Sequence, residues 1–150
     1  MTAAVVSDYK KIFIYHPLVP NRLISRESER VEFKESFNWG SKDAYARSMA
    51  AFANKKGGCL VFGVKNHPRD LVGLRSNNFD EKDEAVIAEY LNSVFSPEIR
   101  FGKILLQENG LRVGIIYVEE ARSKPIVCVK NDGDLKEAEM YYRYNASTKK

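Results

Sequence analysis

Polar and apolar positions along this chain fall into short blocks with two different repeats. Residues 30–36, RVEFKES, put Val31 and Phe33 on one side and Glu32 and Lys34 on the other. A repeat of two predicts a half-buried strand. From Lys42 onward, Tyr45, Met49, Phe52 and Ala53 form a single stripe at helical spacing. Ser41 stands at the N-cap position of that helix. Gly57 stands at its left-handed C-cap, with Lys55 and Lys56 in the last turn. The run GCLVFGV from Gly58 is apolar without interruption, the pattern of a strand covered on both faces. Gly63 inside it predicts a bulge or a close backbone approach.

Further along, Val86, Ile87, Tyr90, Leu91, Val94 and Phe95 make a second helical stripe, behind an acidic cap at Asp80 and Asp83 and closed by Ser96-Pro97. Two strands, near 99–107 and 111–119, flank Asn109-Gly110, a strong hairpin signal. KPIVCVKN (124–131) and EMYYRYN (139–145) read as two more strands, separated by a turn at 131–134. The loop 67–78 includes a short strand at 71–74. NRLISRES (21–28) predicts a helical turn, and residues 1–20 an irregular arm biased towards extended structure before Pro17 and Pro20. The expected fold class is α+β. Its order is β-α-β-α-β-β in a mixed sheet, with two further C-terminal β segments and the helices packed on the sheet. An arm (1–24) precedes the domain (25–150).

A chain of 150 residues, 44% of them apolar, suits one domain with a real core. Its apolar runs are too short to span a bilayer, so no membrane partner is expected. The start has no small-residue cleavage site of a signal peptide. Cys59 and Cys128 lie inside apolar runs, without a second cysteine or histidine at ligand spacing. A reducing cytoplasm is the expected location. Lys+Arg outnumber Asp+Glu by 24 to 20 and the pI is near 9.0, a weak pointer to a polyanionic partner.

Candidate chemistry refines this picture. The pair Gly57-Gly58 is not a phosphate-binding loop, because the order is helix, glycines, strand, which turns the negative end of the helix dipole towards them. Glu27 and Glu32, with Lys34 beside them, are the catalytic candidates, since two carboxylates and a lysine suit metal-assisted phosphodiester cleavage. From spacing alone, Glu32 and Lys34 fit a solvated strand face better than a catalytic pair. Lys55, Lys56, Lys65 and Arg69 gather around the ends of one strand, and Arg143 sits among tyrosines near the basic end of the chain. Bases interleaved with aromatics suit a surface that neutralises phosphates and stacks nucleobases. Met140, Tyr142 and Tyr144 share a face that reads as core. His16 and His67 are isolated, with no nucleophile partner in view.

Together, Glu27 to Lys34, AFANKKGGCLVFGV (51–64), LVGL (71–74), FSPEI (95–99), KPIVCVKN and YYRYNAS resemble the Schlafen/AlbA-type domain over roughly residues 25–148. In bacteria such domains often stand at the N-terminus of proteins described as transcriptional regulators or ATP-binding proteins. The resemblance implies an Alba-like nucleic-acid-binding fold and a longer parent protein. In animal Schlafens the domain forms part of an endoribonuclease that uses three acidic residues. Two of these fall on Glu27 and Glu32. The third, an aspartate after the apolar strand, is replaced here by Lys65-Asn66, with Asp70 further on. A lysine in place of a ligand opposes cation binding. The resulting expectation is the nucleic-acid-binding domain of a transcriptional regulator, on DNA or RNA. It needs no cofactor and contacts phosphates through Lys34, Lys55, Lys56, Lys65, Arg69 and Arg143. Two alternatives stand beside it. One is an endoribonuclease built on Glu27 and Glu32 with Mg²⁺ or Mn²⁺, and the other is a homo-oligomeric dimerisation or sensing module without nucleic acid.

Overall fold

The computed structural model describes Tyr9 and residues 11–150. The remaining part of the expected arm lies outside the described residues. In chain order the elements are β1 (Val31–Lys34), a 3-10 turn (Trp39–Ser41), α1 (Lys42–Ala53), β2 (Gly58–Phe62), α2 (Asn78–Glu81), α3 (Glu84–Val94), β3 (Phe95–Ser96), β4 (Phe101–Glu108), β5 (Leu111–Val118), β6 (Val127–Cys128), β7 (Tyr142–Tyr144) and β8 (Ser147–Lys149). The fold is α+β. A four-stranded mixed sheet runs in the order β1-β2-β5-β4, with β3-β6 and β7-β8 as separate pairs. β1 and β2 are parallel, joined through α1, while β5 pairs antiparallel with both β2 and β4.

Both faces of the sheet are covered, as the unbroken apolar run of β2 predicts. Leu60 and Phe62 face α1 and α3 in a cluster with Met49, Phe52, Ile87 and Leu91. Phe37, Tyr45, Phe62 and Phe79 form the aromatic centre of that layer, with ring centroids 5.2–5.6 Å apart. Val61 points the other way, into a second cluster with Phe33, Val113 and Ile115 that is closed by Ile12, Phe13 and Leu23. Residues 12–24 thus serve as a lid on the second face.

Several local expectations change. The segment 21–28 is extended rather than helical, because its backbone bonds go to distant chain: Leu23 N–H to Arg69 O and Ile24 N–H to Ile14 O, both 2.8 Å. Ser41 makes no capping bond; Asn38 Oδ1 accepts from Gly40 N–H at 2.9 Å and caps the preceding 3-10 turn instead. Asp83 alone caps α3, and Asp80 lies within α2. The strand expected over 124–131 shrinks to two residues, since Asn54 takes over at Ile126. Its Oδ1 accepts from Ile126 N–H at 2.6 Å and its Nδ2 donates to Ile126 O and Tyr141 O. The last expected strand is one arm of the β7–β8 hairpin, and its faces are reversed. Tyr141 and Arg143 are buried, while Met140, Tyr142 and Tyr144 are exposed.

Candidate nucleic-acid interface

β1 is an edge strand whose Arg30 and Lys34 carbonyls accept from β2 and the residue after it. That leaves the N–H and C=O of Phe33 facing outward. Glu27 Oε2 accepts from the N–H at 2.8 Å, and Asn66 Nδ2 donates to the carbonyl at 3.4 Å. Side chains stand where another strand would otherwise pair. The spacing from Glu27 to Phe33 serves this edge.

Glu32 points to the helix side, where Ser48 of α1 donates to it at 3.0 Å. Lys34 Nζ lies 3.2 Å from its Oε2. Arg143 Nη1 donates to Oε1 at 2.7 Å and to Thr148 Oγ1 at 3.2 Å, while Nη2 donates to Ser28 O at 2.6 Å. The guanidinium also lies 4.8 Å from the centre of the Phe52 ring, within cation–π range. Its side chain has 0% exposure. Arg143 therefore fastens the C-terminal hairpin to β1 and α1 and offers no free charge to a phosphate.

These groups border a cavity of about 350 Å³ lined by Glu27, Glu32, Lys34, Arg47, Asn66 and Asp134 among others. The arrangement does not suit a divalent cation. Glu32 has a cation on each oxygen, Glu27 is held by backbone, and Asn66 offers an amide where an acid would serve. Asp70 pairs with Arg22, not with this cavity. Among the described residues, no group of three His, Cys, Asp or Glu is placed to hold a metal ion. Ser48, Arg47 and Asp134 were not found by sequence reasoning. Ser48 carried a faint signal as a polar residue beside the apolar stripe of α1, and Asp134 carried none.

The basic candidates divide between the two ends of the β1–β2 pair. Lys55 and Lys56 enter β2, with Lys55 3.9 Å from Glu29 and Lys56 exposed. Lys34 ends β1, and Lys65 is exposed just beyond β2. The two groups stand roughly 15 Å apart by strand rise. Arg69 is half-buried and donates from Nε to Ser25 O at 2.8 Å.

A two-faced α+β layer with its polar cavity at the rim of β1 and α1 defines the structural class. The chain belongs to the Schlafen, AlbA_2 family, whose model matches residues 27–150. It is 38% identical over 143 residues to a Ureaplasma parvum serovar 3 protein named as an uncharacterized ATP-binding protein, covering 85% of this chain and 40% of that one. The chain thus spans well under half of that relative. Among solved structures, the DIP2311 protein of Corynebacterium diphtheriae shares the fold with a TM-score of 0.64 at 18% identity, over 97% of this chain and 26% of that one. The N-terminal domain of a RecG-related protein of Nitrosomonas europaea aligns at 26% identity and a TM-score of 0.48, over 83% of each. No described helix is long and apolar enough to cross a membrane.

Proposed function

We propose that this chain is a nucleic-acid-binding domain that holds the phosphate backbone without cutting it. The observation that carries the reading is the contrast between committed acids and open bases. Glu27 and Glu32 spend their carboxylates on the β1 edge and on Arg143 and Lys34. Lys56 and Lys65 stand exposed at opposite ends of β2, on a chain of net charge +4. Phosphate binding needs solvent-facing cations spread along a surface, whereas metal-assisted cleavage needs uncommitted carboxylates. Family membership supports the same reading, which extends to a cytoplasmic setting within a transcriptional regulator. Lys34, Lys55, Lys56 and Lys65 supply the contacts, and Arg143 positions the hairpin beside them. The test is charge reversal of Lys55, Lys56 and Lys65 together, followed by binding to labelled single-stranded RNA and duplex DNA. Affinity should fall at least tenfold on the preferred polymer. Unchanged binding to every polymer would contradict the proposal, and so would Mn²⁺-dependent cleavage lost in Glu32→Gln.

A further inference from the structure

The register of the four-stranded sheet aligns two successive rungs on the face covered by residues 12–24. One rung is Phe33, Val61, Ile115 and Ile104, which the lid residues Ile12, Phe13 and Leu23 fill. The next is Val31, Cys59, Tyr117 and Gly102. Beside this rung, among the described residues, a cavity of about 550 Å³ lies over Val31, Cys59 and Tyr117, with Tyr9, Lys11 and Ile12 also in its lining. That volume lies within the usual range for small-molecule sites. Gly102 shapes the floor: a Cβ there would lie 2.2 Å from the Tyr117 hydroxyl, so glycine lets the phenol ring lie across β4. The result is a flat aromatic surface in an apolar trough that Tyr9 also lines.

The rim is basic. Arg26 and Arg30 come from the turn before β1 and Lys56 from the turn before β2; all three are exposed. Of the two acids of the rim, Glu119 pairs with Arg100 at 3.2 Å and Glu120 with Lys124 at 2.7 Å, and the Glu120 carboxylate also interacts with the charges of Lys56 and Arg30. Among the described residues no salt bridge engages Arg26, Arg30 or Lys56. Positive charge therefore collects above a flat apolar floor. Guanidinium forks suit phosphate oxygens, and a tyrosine face suits a planar ring.

We infer that this trough is a nucleoside-phosphate site, separate from the Glu32–Arg143 cavity, with the base over Tyr117 and Cys59 and the phosphate at Arg26 and Arg30. The shared chemistry is a planar base carrying a phosphate, whether a free nucleotide or the 5′ end of a strand.

The test is calorimetric titration of the full chain with AMP, adenosine, inorganic phosphate and a 5′-phosphorylated dinucleotide. Either AMP or the dinucleotide should bind at least tenfold more tightly than adenosine or phosphate, and the tighter of the two identifies the source. Binding should slow alkylation of Cys59 and fall at least tenfold in Arg26→Gln/Arg30→Gln, a surface variant that leaves the cores intact. Phosphate binding as tightly as the nucleotides would overturn the inference, as would unchanged affinity in the double variant or no binding at millimolar nucleotide. Lys56 borders both surfaces, but Arg26 and Arg30 lie outside the charge-reversal test and Lys55 and Lys65 outside the trough. The double arginine variant and the nucleotide titration can therefore fail while polymer binding persists, and the reverse.

Discussion

Arg143 shows how far a residue's role depends on its partner. In MYYRYN either face offers large amphipathic side chains, so alternation alone does not say which turns inward. The deciding contact is Glu32, 111 positions away, together with the Phe52 ring. Removing one member of a buried pair leaves the other charge uncompensated. Arg143→Ala should therefore cost about 3 kcal/mol in urea unfolding, near the lower end for such pairs because Lys34 still faces Glu32. Glu32→Gln/Arg143→Met, which leaves no buried charge, should cost less; an equal or larger loss would deny the pair its clamping role. Two half-buried phenols give a second residue-scale prediction. Burial, then the carboxylates of Glu108 and Asp132, push the ionisation of Tyr15 and Tyr90 well above the ordinary tyrosine range. In the unfolded chain both lose their protons near pH ~10. The fold binds those protons more tightly, so their stabilisation is complete below that pH and declines as pH rises beyond it. Thermal melts from pH 9 to 11 should fall, and Tyr15→Phe/Tyr90→Phe should flatten the decline.

At the scale of elements, local signals worked wherever the backbone's partners were local. The stripe of α1 appears as expected, but the helix ends at Ala53 with Asn54 as its C-cap, so Lys55 and Lys56 lie past its last turn. Gly57, at φ 80°, closes the turn that follows, its N–H donating to Phe52 O at 2.8 Å. The Asn109-Gly110 turn closes β4 on β5, with both residues at positive φ. These two glycines differ in their surroundings. A Cβ on Gly57 would stand 2.6 Å from Val118 O, while Gly110 has open space around it. Gly110→Ala should cost about 1 kcal/mol, from backbone strain alone. Gly57→Ala should cost clearly more, and equal losses in chemical denaturation would contradict that packing. Expectations failed where distant groups claim the backbone: the segment 21–28 pairs with residues near 14 and 69, and Asn54 interrupts the strand at Ile126. AFAN was visible in the sequence as a motif, but its asparagine could not be assigned before residues 126 and 141 came beside it.

For the whole molecule, charge follows topology. A parallel β1-α1-β2 unit brings Lys34 and Lys65 to one end of the sheet and Arg30, Lys55 and Lys56 to the other. The sequence already placed Lys55, Lys56 and Lys65 around the ends of one strand; it did not show Lys34 joining one end and Arg30 the other, which depends on β1 and β2 running side by side. It also paired Glu27 with Glu32 on spacing, and both do line one cavity. Their commitments to Phe33 and Arg143 became apparent only with the edge strand and the hairpin in place. The central claim is that the open lysines hold a phosphate backbone. It is tested most directly by anisotropy of labelled single-stranded RNA and duplex DNA against the purified chain at about 50 and 200 mM salt. Four phosphate contacts on a duplex imply an affinity loss of about 150-fold across that range. A salt-dependent loss of that order on at least one polymer is the predicted result, and absence of binding at the lower salt would contradict the account.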